Sequence, residues 1–130
     1  VHSTLWTSRE YKNEKNPEIC SYINRESQEE GCRIEIGKAT LNIELCKVQA
    51  RNEYNVPLEG EFDYDLQCAV LIAKSTNNPE LCEDFYHDVY TKSCYSTLAW
   101  ETCDKSLCEK SGTFRERCIS DIDEVPIYCN

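Results

Sequence analysis

Where apolar residues are dense along this chain, they fall on helical spacing. Leu66, Ala69, Val70 and Ala73 stand at i, i+3, i+4 and i+7, which marks one apolar helix face. Residues 69–73 are apolar without a break, so this helix is expected to be central and covered on more than one side. Asn16-Pro17-Glu18 and Asn78-Pro79-Glu80 each offer an N-cap, a proline at the first helical position and an acid in the first turn. Thr7 with Glu10, Ser106 with Glu109 and Thr113 with Glu116 have capping-box spacing. No stretch reads as sustained strand alternation, and the expected fold class is all-α.

The pattern repeats. The segments from Cys32 to Cys46, Cys68 to Cys82 and Cys94 to Cys108 each hold thirteen residues between their cysteines. Four places after the first cysteine stands Ile36, Ile72 or Leu98, followed by a small residue, Gly37, Ala73 or Ala99. Leu45, Leu81 or Leu107 precedes the closing cysteine. The small residue lets a neighbouring backbone approach closely. Ile19-Cys20 opens a first unit in the same way, and Cys118 with Ile122 closes a fourth, in which Asp123 stands where Gly or Ala is found elsewhere. Units thus open at Cys20, Cys46, Cys82 and Cys108, and each is expected to be a short helix, a tight turn and a longer helix. The last, degenerate copy suits the end of an array. The second unit carries an insertion at residues 55–65. The expected organisation is an N-terminal extension at 1–15, a disulfide-stapled repeat domain at 16–122 and a C-terminal tail at 123–130.

Ten cysteines in 130 residues place the chain near the disulfide scaffolds of oxidising compartments, so a secreted or cell-surface location is expected. The absence of an initiating Met and of an apolar leader segment suits a mature form or an excised domain. Pairing within units gives Cys20–Cys32, Cys46–Cys68, Cys82–Cys94 and Cys108–Cys118, and leaves Cys103 to tie Cys129 and the tail back. The competing scheme, Cys32–Cys46, Cys68–Cys82 and Cys94–Cys108, strands Cys20 and Cys118 at opposite ends of the array. Pairing within units is favoured. Each such loop is worth about 3 kcal/mol in the chain-entropy model, enough together to offset a small core.

A net charge of −10 opposes nucleic acid and anionic membranes, and no run of 18 apolar residues provides a membrane span. Cys-x-x-Cys spacing is missing and only His2 and His87 are present, so no metal, haem or other cofactor is expected. Calcium is conceivable at Glu59, Glu61, Asp63 and Asp65, but the spacing is not that of an EF-hand. The same acidic stretch interleaves Tyr54, Phe62 and Tyr64. On an inserted loop these are candidate partner-binding residues. If the core does not need them, deleting about ten residues between Asn55 and Asp65 should cost little stability.

Tyr86-His87-Asp88-Val89-Tyr90, followed by Cys94-Tyr95, resembles the His-Asp helix of secreted phospholipases A2. That resemblance implies a small hydrolase using His87 and Asp88. The adjacent cysteines that precede the family's histidine and its glycine-rich calcium loop are missing. The pattern Asn-Pro-Glu-Leu-Cys, then Cys-Tyr-x-x-Leu-Ala, then Leu-Cys-Glu resembles cysteine-bearing helical repeats of exported prokaryotic proteins, archaeal ones especially. It covers residues 16–122 and implies a fold without a ligand or a catalytic residue. The functional expectation is a non-enzymatic extracellular interaction or structural protein, acting through a protein partner or through self-assembly. A subunit of an extracellular filament or surface assembly is the alternative, and the His87/Asp88 hydrolase is another.

Overall fold

A computed structural model describes Cys20 and residues 26–124. The N-terminal extension, the Thr7 and Asn16 caps, Ile19 and Cys129 lie outside the described residues. Helix α1 runs Glu26–Thr40 and leads through a 3-10 turn, Ile43–Cys46, into strand β1, Lys47–Arg51. Strand β2 is Pro57–Tyr64, followed by α2, Leu66–Ser75. A 3-10 segment at Pro79–Asp84 precedes α3, Asp88–Thr102. Further 3-10 segments, Lys105–Lys110 and Gly112–Phe114, precede α4, Arg115–Glu124.

The disulfides follow the units: Cys20–Cys32, Cys46–Cys68, Cys82–Cys94 and Cys108–Cys118, with Cα separations of 5.5–5.9 Å. Successive helical segments are thereby linked in a stapled repeat array. Cys103 is also disulfide-bonded. The pairing expected for it, with Cys129, falls outside the described residues.

One turn builds all three joints between units. Leu41, Asn77 and Cys103 take left-handed backbone angles, with φ of 56°, 52° and 55°. Each lies four residues past the small position. The next amide donates back to the small residue's carbonyl: Asn42 N to Gly37 O at 2.9 Å, Asn78 N to Ala73 O at 2.8 Å and Asp104 N to Ala99 O at 2.9 Å. This six-to-one bond past a left-handed residue is a Schellman ending. A threonine one residue before the turn seals the last helical carbonyl, from Thr40 to Ile36 O, Thr76 to Ile72 O and Thr102 to Leu98 O, at 2.6–2.7 Å. Asn42, Asn78 or Asp104 then starts the next 3-10 segment, whose leucine amide bonds back to it. The small residue is needed because this turn folds over it: a Cβ on Gly37 would lie 3.0 Å from the Leu45 Cβ and 3.1 Å from the Asn42 carbonyl.

Ile36, Ile72, Leu98 and Ile122 are all buried and run through the four apolar clusters that line the array. The largest cluster packs Ala69, Val70 and Ala73 of α2 against Tyr95 and Leu98 of α3, as the apolar run predicts. Tyr95 is the largest fully buried side chain, and its hydroxyl donates to Glu83 at 2.7 Å. In the last unit Asp123, at the small position, is half exposed and pairs with Lys105.

Two local expectations are corrected. The cap before Lys105 is Asp104, whose carboxylate accepts from Ser106 N; Ser106 therefore lies inside the turn. His87 occupies the N-cap position of α3 without a side-chain bond to the helix, and Asp88 lies in the first turn. The insertion is an antiparallel hairpin, with Lys47 opposite Tyr64, Val48 opposite Asp63 and Gln49 opposite Phe62. Its period-two signal, apolar or Gly at 58, 60, 62 and 64 against acids at 59, 61, 63 and 65, is masked by Pro57 and Gly60. Beyond Gln49 the register shifts, so that Arg51 faces Pro57 and residues 58–61 bulge opposite Ala50. The Gln49 side-chain amide fills that bulge, reaching the carbonyls of Leu58, Ala50 and Glu61 at 2.8–3.1 Å. Gly60, at φ 82°, supplies the left-handed residue of the bulge.

Candidate functional site

The base of the hairpin and the start of α3 meet at one carboxylate. Asp63 is 4% exposed, and its oxygens accept from Tyr86 N at 2.8 Å, His87 N at 3.1 Å and His87 Nδ1 at 2.6 Å. A buried carboxylate requires such partners. An ionised carboxylate only accepts, so the proton of this contact sits on Nδ1. The segment before α3 has no side-chain cap of its own, and a residue 24 positions away in sequence supplies the anion favoured near a helix N-terminus.

The neighbouring residues of β2 divide the remaining work. Tyr64 packs edge-on against Phe85, with centroids 5.8 Å apart. Asp65 caps α2 by accepting from Cys68 N at 3.0 Å. Phe62 is exposed, with Lys47 Nζ 5.7 Å above its ring. At the hairpin tip the Asn52 side chain accepts from Tyr54 N and Val56 N, and Arg51 bonds to the Asn55 carbonyl. Tyr54 is thus presented at 79% exposure on an ordered turn.

From Tyr64 the rings continue in contact. Phe85 meets Tyr90 at 6.2 Å, Tyr90 meets His87 at 5.6 Å, and His87 meets Tyr86 at 5.0 Å. Phe85 is buried, whereas Tyr86, Val89 and Tyr90 are 48%, 51% and 44% exposed. The result is an aromatic surface whose inner end is core and whose outer rings face solvent.

Its setting is acidic. Residues 52–65 hold five Asp or Glu, and residues 75–91 hold four, with no Lys or Arg in either stretch. Burial raises the Tyr95 phenol well above its ordinary value, helped by the Glu83 hydrogen bond and by the charges of Glu83, Glu80 and Asp84. Tyr64 is raised as well, first by burial, with Lys47 opposing and Glu44 and Asp84 adding to the rise.

The three candidate binding residues therefore have different environments: Tyr54 and Phe62 are exposed, while Tyr64 is partly buried against the core. The candidate pair His87 and Asp88 is divided, because Asp88 forms an ion pair with Lys92 at 2.8 Å and His87 bonds to Asp63. Among the described residues every cysteine is in a disulfide, and the His87 side chain meets Asp63 and the edges of Tyr86 and Tyr90. This geometry orients a loop. The four acids considered for calcium have other tasks in two cases, Asp63 holding His87 and Asp65 capping α2. Among the described residues no group of three or more His, Cys, Asp or Glu is placed to hold a metal ion, and no helix is long and apolar enough to cross a membrane.

Two hollows lie elsewhere. One, of about 650 Å³, surrounds the turn at Cys103–Ser106 beside Ile122. The other, of about 530 Å³, runs between Lys38, Val70, Leu71 and Thr97. Neither is lined by Asp63 or His87.

Sequence reasoning missed Asp63 as the organising residue. The 58–65 alternation marks a strand but would turn its acids outward; Asp63 faces inward because Tyr86 and His87 meet it. The repeated threonine at 40, 76 and 102 was also legible. Comparison with known proteins finds no matching family model, curated protein or solved structure.

Proposed function

We propose that this chain is a non-enzymatic protein-interaction domain, exported to the cell surface or beyond, whose repeat array, at residues 16–122, holds a recognition face formed by the hairpin and the start of α3. The observation that carries this reading is that exposed Tyr86, Val89 and Tyr90 stand at the start of α3, where the buried Asp63 carboxylate holds the amides of Tyr86 and His87. Aromatic side chains held in place lose little freedom on contact and favour protein interfaces. Complete cysteine pairing among the described residues supports an oxidising compartment.

A displayed random-peptide library, panned on the full chain, tests the reading. Peptides should be enriched that bind the wild type and fail on a variant carrying Tyr54→Ser, Tyr86→Ser and Tyr90→Ser, while the melting temperature stays close to wild type. Peptides that bind both forms equally, or no enrichment at all, would overturn it.

A further inference from the structure

We propose that the partner of this face is a cationic segment, an Arg- or Lys-rich stretch of another protein, held by the outward rings of Tyr86 and Tyr90 within an acidic surround. The inference rests on the interaction reading above and adds the chemistry of the partner. Exposed aromatic faces attract cations through their ring quadrupoles, and among the described residues this contact occurs twice. Lys47 Nζ sits 5.7 Å from the Phe62 ring and Lys110 Nζ 5.5 Å from the Tyr95 ring. Among the described residues no Lys or Arg stacks on Tyr86 or Tyr90, and Lys92, on the same helix, is engaged by Asp88.

Charge selects the occupant. Residues 52–65 and 75–91 carry nine carboxylates and no Lys or Arg; of the cations beside them, Lys47 pairs with Glu44, Arg51 bonds to the Asn55 carbonyl and Lys92 pairs with Asp88. Glu80, Glu83 and Asp84 act on the buried Tyr95, and Asp84 acts on Tyr64 as well, so their field reaches the inner end of the aromatic surface. A second copy of this chain, also at −10, would be repelled over the approach distance, whereas a basic segment would be drawn in.

The test is a titration of the full oxidised chain with a short Arg/Lys-rich peptide and with a Glu-rich peptide of the same length. Binding is followed by amide-resolved NMR and by calorimetry at two salt concentrations. The basic peptide should bind, shift the amides of Tyr86, His87 and Tyr90, and weaken as salt is added; the acidic peptide should not bind. Tyr86→Leu and Tyr90→Leu keep apolar bulk but remove the ring face, and each should weaken binding about 2- to 5-fold. Asp84→Asn should also weaken it, while Asp121→Asn on α4, an equal change in net charge, should leave it unchanged. Equal weakening by Asp121→Asn, or shifts spread over the whole chain, would reduce the effect to net charge and overturn the proposal. No binding of the basic peptide would overturn it too. In that case, neutral library peptides that still depend on Tyr86 and Tyr90 would leave the interaction reading standing, and their absence would remove both.

Discussion

Replacing Asp63 tests whether one carboxylate holds the hairpin to the start of α3. Asp63→Ala removes three hydrogen bonds, from Tyr86 N, His87 N and His87 Nδ1, at 2.6–3.1 Å, at a site 4% exposed. Bonds to a charged partner are worth about 1.5–3 kcal/mol each. Tyr86 is half exposed, so water can take over part of what the carboxylate supplied, and the low end applies. The summed loss is about 3–5 kcal/mol. For a domain of this size that lowers the melting temperature by about 10–25 °C. Asp63→Asn separates the parts. Both backbone amides bond to Oδ1, a place the Asn carbonyl can take, while the amide nitrogen would face Nδ1 and force the imidazole proton to Nε2. The expected cost is about 1–2 kcal/mol.

Thermal and urea unfolding of the oxidised protein measure these losses, and amide exchange at Tyr86 and His87 should quicken in Asp63→Ala. Combining it with His87→Ala should show a coupling of at least about 1 kcal/mol. An Asp63→Ala protein melting within about 3 °C of wild type, with those amides still protected, would refute the reasoning.

The remaining predictions come from the joints, the hairpin tip and the core. Replacing residues 51–60 by Asn-Gly keeps the Gln49–Phe62 pair and buried Ala50, and should cost no more than about 1 kcal/mol by denaturant unfolding; removing residues 62–65 as well should unfold the start of α3, because Asp63, Tyr64 and Asp65 hold it and α2. Leu41→Asn should raise stability by about 0.5–1 kcal/mol, since Asn tolerates the left-handed conformation that Asn77 occupies in the next unit. Tyr95 keeps its proton above the ordinary phenol value because burial raises it in the folded state. Stability should therefore be complete below that value and fall as alkali rises past about pH 10; Tyr95→Phe should flatten this fall in unfolding curves taken across that range. Peptide mapping without reduction should join Cys103 to Cys129 and Cys82 to Cys94, and a Cys94–Cys108 peptide would contradict the pairing within units.

The repeat was legible because each of its joints has a local cause. A small residue, a left-handed residue four places on and an Asn or Asp after it are all demanded by one turn, so all recur at fixed spacing. The disulfides followed once each unit was required to close on itself, because pairing across the constant spacing would strand Cys20 and Cys118. The hairpin was less legible because β1 alternates over only five residues, Lys47-Val48-Gln49-Ala50-Arg51, and β2 places Asp63 inward and Phe62 outward, against the usual sense of a half-buried strand. The inward acid is stable only because Tyr86 and His87 meet it, and nothing near residue 63 in the sequence announces residues 86 and 87. The different environments of the candidates Tyr54, Phe62 and Tyr64 were hidden for the same reason, since Tyr64 packs against Phe85.

The place of the insertion in the array bears on what it can do. In a repeat protein, stability is a sum over units and over the contacts between neighbours. The hairpin leaves unit two between Cys46 and Cys68 and bonds to the turn that starts the long helix of unit three, so it adds to one junction. That junction already holds the largest apolar cluster, from Ala69 and Val70 to Tyr95 and Leu98. Tyr86 and Tyr90 are therefore displayed from a well-supported part of the molecule, with Tyr54 on a hairpin anchored there. A surface fixed in this way binds without first ordering itself, which lowers the cost of association. The hairpin is thus tied to this junction by its inner end, Asp63 to Asp65, while its outer end carries Tyr54 into solvent.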